Sequence, residues 1–176
     1  MRTTRLFTTL TLTLVALLTY AQPRLTVLVV VDGMTQENLA TLRPFWQAGG
    51  LRILSEEAHQ TVATFPHQVY GGQETMATLM TGTTPNHHSI MADTYFERAD
   101  RKPQAILLDN QATGIGYDTP LSPRTLLSTT ITDEWRMRHG NEAQIYAVGL
   151  QPQATVLLAG HAANACCWLN TETRKW

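Results

Sequence analysis

Cysteine is nearly absent. The 176-residue chain has two, Cys166 and Cys167, and they are adjacent. Neighbouring cysteines do not reach ordinary disulfide geometry without strain, and they lack the spacing of a cysteine zinc site. Their expected role is that of small apolar side chains buried on a strand, with a vicinal redox pair as the alternative. An excess of charge of one sign is missing too: 13 Lys and Arg stand against 14 Asp and Glu. No basic stripe or like-charge run is present, which argues against nucleic-acid binding and against a polybasic membrane patch. The chain has no internal repeat, no low-complexity stretch, no G-x-S-x-G elbow, no G-x-x-x-x-G-K-[ST] phosphate loop and no Cys-x-Pro-x-Arg stretch. Serine-elbow and P-loop chemistry are thereby excluded. The run from Leu6 to Thr19 is short for a bilayer core of ~30 Å and rich in Thr.

That run makes better sense with its flanks. Arg2 and Arg5 precede it, and Thr19-Tyr20-Ala21 places small residues where a signal peptidase reads. The pattern predicts a secretory signal over residues 1–21, cleaved after Ala21, and a periplasmic or secreted product starting at Gln22 with no remaining membrane span. Removing it leaves 11 basic and 14 acidic residues, a net charge of −3. Residues 22–176 are enough for one modest core, and a single domain is expected.

The patterning is that of an α/β protein. Leu25 to Val31 is a continuous, β-branched run of the kind found in strands buried on both faces of a parallel sheet. It stops at Asp32-Gly33. Thr35 is placed to cap a helix carrying Leu39, Leu42, Phe45 and Trp46, kinked at Pro44 and ended by Gly49-Gly50. Further expectations are a strand at Val62–Phe65, a short helix from Gln73 to Met80, an extended stretch from Met91 to Phe96, and a loop region over 98–124. A helix is expected from Ser122 to His139, with Leu126, Leu127, Ile131 and Trp135 on one face. Strands are expected at Ile145–Leu150, Thr155–Leu158 and Cys166–Leu169, then a turn at Asn170–Thr173. An apolar strand and a turn so near Trp176 read as the front part of something longer.

Few residues stand out as chemical candidates. Asp32 ends a buried strand, where ligands gather in open α/β sheets, so its carboxylate is a candidate cation ligand; the alternative is a turn Asp that caps the next helix. Thr75, Thr78, Thr81, Thr83 and Thr84 form a hydroxyl-rich stretch, for which caps and turns are the plainer reading and an activated nucleophile the sharper one. His87, His88 and His161 are read as structural, since a metal site needs several converging ligands. No Asp-His pair at helical spacing accompanies them.

Several stretches resemble the alkaline phosphatase superfamily, and within it the type I phosphodiesterase/nucleotide pyrophosphatase group and its PafA-like periplasmic phosphatases. They are Val29-Val30-Val31-Asp32-Gly33-Met34, Gly49-Gly50-Leu51-Arg52, Thr81 to Ile90, Asp93-Thr94-Tyr95, and Ala159-Gly160-His161-Ala162-Ala163-Asn164-Ala165 with Trp168, in the family's order. The resemblance implies a three-layer α/β/α sandwich with a mostly parallel sheet, incomplete at the C-terminal end. It also implies two zinc ions, a Thr or Ser nucleophile and a phosphate ester substrate. One zinc would activate the nucleophile and the other the leaving oxygen.

By position, Asp32 matches a metal-ligand aspartate. The other positions depart from the family's pattern. Counting back from Thr81-Gly82, the nucleophile falls on Gly72. Thr75 and Thr64 are nearby, but Thr64, in Thr64-Phe65-Pro66-His67, needs an eight-residue shift. The phosphate-contacting Asn falls on Asp93, and a phosphate-clamping Lys and Arg fall on Gln151 and Gln153, removing two cations where a phosphoryl transition state needs them. Three expectations follow: a truncated, inactive family member; a non-catalytic secreted binding or scaffold protein on a degenerate phosphatase fold; or a hydrolase using Thr75 or Thr64 with ligands from a second chain.

Overall fold

The structure is a computed structural model that describes residues 25–69 and 71–176. The expected signal over residues 1–21 lies outside the described residues. The chain divides into two compact units, one ending at Thr61 and the other spanning Val62–Trp176.

In the first unit, α1 spans Gln36–Leu42 and runs into a single 3₁₀ turn at Arg43–Phe45; α2 spans Leu51–Glu57. Thr35 caps α1 as its position predicts, its hydroxyl accepting from Asn38 N at 3.1 Å. Pro44 tightens the end of the helix into the 3₁₀ turn. Leu25 to Val31 corrects the sequence reading. It forms no strand, and Leu25 and Val29 are 78% and 75% exposed. A β-branched run is suited to a sheet but cannot make one without a neighbour to accept its backbone hydrogen bonds.

The second unit holds the core. Its helices are α3 at Gln73–Thr81, α4 at Pro85–His88, α5 at Ile131–His139 and α6 at Pro152–Ala159. Strands β1 at Thr94–Glu97 and β2 at Lys102–Ala105 form an antiparallel hairpin, with Thr94 opposite Ala105 and Glu97 opposite Lys102. Strands β3 at Tyr146–Gly149 and β4 at Ala165–Trp168 run parallel, joined through α6, with Tyr146 opposite Ala165 and Gly149 opposite Trp168. This is one βαβ unit. Helix α6 packs on both of its strands and on α3. Ala77, Ile90, Leu107, Leu126, Val156 and Leu157 close the core, with Met76, Ile106, Leu121, Cys166 and Trp168 packed against it.

Four readings change. Val62–Phe65 is not a strand. Thr155–Leu158 is helical: Pro152 starts α6 at a position that needs no N–H, and Thr155, Val156 and Ala159 fall on its buried side. The expected helix over Ser122–His139 is two elements, a 3₁₀ turn at Pro123–Thr125 and α5, and Leu127 between them is 75% exposed. The β1–β2 hairpin reaches into what reads as loop.

The cysteines also divide. Strand alternation turns Cys166 toward the core and leaves Cys167 exposed, so only one of them is packed as expected.

Candidate functional site

The turn at Asp32-Gly33 belongs to the first unit. Gly33 takes a positive φ of 73°, which the chain reversal after residue 31 requires. Asp32 is exposed and is not the helix cap; Thr35 holds that place. The structural alternative for Asp32 therefore loses its support, and the carboxylate is left with no capping duty.

In the second unit the polar groups gather around α3. The helix begins at Gly72 and ends at Gly82, which is left-handed at φ 66° and donates its N–H to Thr78 O. Glu74, in the first turn, is buried at 4% exposure. His67 Nε2 lies 2.6 Å from Glu74 Oε1, and Thr75 Oγ1 donates to Glu74 Oε2 at 3.2 Å. A buried carboxylate needs such partners, and the helix N-terminus adds favourable dipole. The Thr75 hydroxyl is thus spent on a neighbouring carboxylate, while Thr64 is exposed in an irregular segment.

One turn further along α3, Thr78 meets His88. The ring Nδ1 accepts from Ile90 N at 3.1 Å, so the ring hydrogen sits on Nε2 and donates to Thr78 Oγ1 at 3.0 Å. His88 is fully buried, and burial lowers its pKa below the ordinary histidine value against the raising influence of Glu74. It is a neutral core histidine. His87, its neighbour in the same helical turn, is exposed and pairs with Thr84 Oγ1 at 3.1 Å.

His161 is structural as well, through a partner that sequence spacing does not reveal. Asp133 lies 28 residues away, and its Oδ2 is 2.8 Å from His161 Nδ1. His161 Nε2 is 3.0 Å from Leu126 O. Asp133 also accepts from the backbone N–H groups of His161 and Ala162 at 2.7 and 3.0 Å and closes a capping box with Thr130. Burial pushes the Asp133 carboxyl up, but the hydrogen bonds from His161 and Thr130 outweigh it and hold it below the usual carboxylate value. Arg136, one turn along α5, donates to Ala162 O at 3.1 Å and to Asn164 Oδ1. The 159–165 stretch is thus latched to α5.

Gln151 is the N-cap residue of α6 without a side-chain cap bond, and Gln153 lies in the first turn, half-buried. Among the described residues no three His, Cys, Asp or Glu side chains come together as a metal-ligand set. Structural and catalytic zinc sites need three or four, so the donor groups present do not fit a zinc centre.

The order of motifs has a counterpart in a known sequence family. The sequence model of the type I phosphodiesterase / nucleotide pyrophosphatase family matches residues 26–175. The chain belongs to this family. Its relatives include the alkaline phosphatase PhoV of Synechococcus elongatus, 26% identical over 159 residues, and the alkaline phosphatase PafA of Elizabethkingia meningoseptica, 24% identical over 169 residues. A Myroides odoratus protein named as a calcium-transporting ATPase is 25% identical over 162 residues. Each match covers 88% of this chain and 29% of the relative, so the chain spans under a third of the length of these curated relatives. The crystal structure of wild-type PafA matches with a TM-score of 0.55 and 25% identity, covering 59% of this chain and 21% of that one.

Family membership confirms the α/β, alkaline-phosphatase-like fold that the motifs implied. It does not fix a substrate, since relatives of equal similarity carry the names of different activities. Within the family frame, Gly72 at the head of α3 has no hydroxyl, and the carboxylate of Asp93 lies against it, with Oδ1 accepting from Gln73 N at 2.9 Å.

Proposed function

We propose that this chain is an exported member of the phosphodiesterase/nucleotide pyrophosphatase family that does not hydrolyse phosphate esters by itself. The observation that carries this reading is the donor inventory: no three ligand side chains converge among the described residues, and Gly72 offers no oxygen at the position matched to the nucleophile. Phosphoryl transfer in a two-zinc site needs an activated oxygen and a clamp for the equatorial charge. Gln151 and Gln153 supply neither cation of that clamp. By its position in the family pattern Asp32 is the candidate zinc ligand; among the described residues no set of three donor side chains comes together.

A phosphate ester is the substrate class that the family reading supports for a complete site. A second reading, a non-catalytic secreted binding or scaffold protein on the same fold, is favoured by Gly72, Asp93, Gln151 and Gln153 together, because these changes lie inside the part of the fold that is present. Export rests on residues 1–21, and the secreted product is expected to begin at Gln22 by N-terminal sequencing.

The test is direct. The purified chain, supplied with zinc, is expected to retain less than one equivalent of metal after desalting, by elemental analysis. It is also expected to turn over p-nitrophenyl phosphate and bis-p-nitrophenyl phosphate no faster than buffer. Two tightly held zinc ions with turnover of either ester would overturn the proposal.

A further inference from the structure

Helix α3 lacks a capping side chain of its own, because its N-cap residue is Gly72. The capping oxygen comes instead from Asp93, at the entrance to β1. Its Oδ1 accepts from Gln73 N at 2.9 Å. The carboxylate reaches this position by occupying the volume of an absent side chain. A Cβ on residue 72 would collide with Asp93 Oδ1 and come to 2.9 Å from both Cγ and Oδ2, closer than real Cβ atoms approach. Gly72 also holds φ 73°, a backbone region that L side chains rarely adopt.

We propose that Gly72 and Asp93 form a mutually exclusive pair, in which the Asp93 carboxylate stands in for a residue-72 side chain and fastens the hairpin to the head of α3. The pair adds a polar tie between two segments that already share the core through Ala77, Ile90 and Leu107. Asp93 O accepts from Ile106 N at 2.9 Å, so the same residue anchors the far end of β2 through its backbone and α3 through its side chain. A side chain at 72 and a carboxylate at 93 do not fit together. A hydroxyl at position 72 is therefore not installed by one substitution. That consequence bears on catalysis only under the proposed function; the pairing itself does not depend on it, and the measurements that follow read the pairing alone.

The full chain and its D93A, D93N, G72S and G72S/D93A variants separate the terms. In D93A the exchange of the Gln73 amide is expected to rise about fivefold, the equivalent of a lost cap, whereas D93N keeps an acceptor oxygen and exchanges as the native chain does. G72S is expected to lower the melting temperature sharply when Asp93 is present and by clearly less in the D93A background, where the serine hydroxyl has room to cap Gln73. Unchanged Gln73 exchange in D93A overturns the proposal, and so do melting-temperature losses that simply add. If G72S alone is too unstable to melt cooperatively, a double variant that also fails to fold counts against the pairing.

Discussion

Gly160 shows what one missing methyl group maintains. It ends α6 at φ 72°, and a Cβ there would run into Thr130 Oγ1, Thr132 Oγ1 at 2.7 Å and Asp133 Oδ1 at 2.8 Å. Of these atoms, Thr132 Oγ1 donates to Ala159 O and Asp133 Oδ1 accepts from His161 N and Ala162 N, so two of the three help to hold the 159–165 loop on α5. Gly160→Ala is expected to destabilise the second unit by roughly 2–4 kcal/mol, from left-handed strain plus displacement of a buried network. Chemical denaturation of the variant and the parent chain checks this; a loss below about 0.5 kcal/mol would mean the loop relaxes freely. Asp133 should show itself in pH dependence. Its folded carboxyl lies below the ordinary value, so its contribution is complete above the unfolded pKa near 3.8 and fades as pH falls through the folded one. His88 acts in the same direction at higher pH, because a histidine kept neutral by burial favours unfolding once acid protonates it. Asp133→Asn is expected to cost about 2 kcal/mol at neutral pH and to flatten the stability profile below pH 4 while leaving the histidine step in place. The role of Asp133 was not legible in advance. Asp133 and His161 are 28 positions apart, and only the fold of α5 against the loop after α6 brings them together. His88, by contrast, was readable as structural, since two adjacent histidines cannot both serve one site.

The elements that sequence patterning found are those whose signals are local. Thr35 as a cap, the helix between Gly72 and Gly82, the strands near residues 146 and 166, and the turn after Asn170 each follow from residues within a few positions. Patterning failed where two local signals compete. Thr155-Val156 is β-branched, yet Pro152 three positions earlier and the burial of residues one turn apart make the segment a helix. Likewise, Thr130 and Asp133 build a capping box inside what looks like one long helix and restart it at Ile131. The β1–β2 hairpin was hidden by Pro103, which sits on a two-stranded edge where a missing N–H costs little. Strand β4 carries a prediction of its own. Its alternation turns Cys166 inward, where burial and then the neighbouring Cys167 push its thiol up to about 11, and turns Cys167 outward. Mild iodoacetamide at pH 8 is expected to alkylate Cys167 well before Cys166, with no disulfide between them. Peptide mass spectrometry checks this; equal labelling would show that β4 is not held on β3.

At the scale of the molecule, the two units differ in what they bury. Every residue of the hydrophobic core cluster lies between Ala77 and Leu157, within the second unit. Helices α1 and α2 bury no residue, and the run from Leu25 to Val31 leaves Leu25, Val27, Leu28, Val29 and Val31 more than half exposed. An apolar, β-branched segment without charge or proline is the kind that recruits other chains. The family match begins in this segment, and its β-branched pattern suits a sheet without itself supplying the neighbouring strands a sheet needs. Residues 22–176 are therefore expected to bind a hydrophobic dye and to associate as concentration rises. Residues 62–176, carrying the whole cluster, are expected to melt cooperatively and to bind distinctly less dye per chain. Val27→Asp together with Val29→Asp in the longer chain should remove most of the difference without moving the melting temperature of the second unit, because neither valine belongs to its core. Dye titration, light scattering and thermal melts of the three proteins decide it. Equal dye binding by all three would place the sticky surface on the exposed face of β3 and β4, where Tyr146 and Val148 also lie bare.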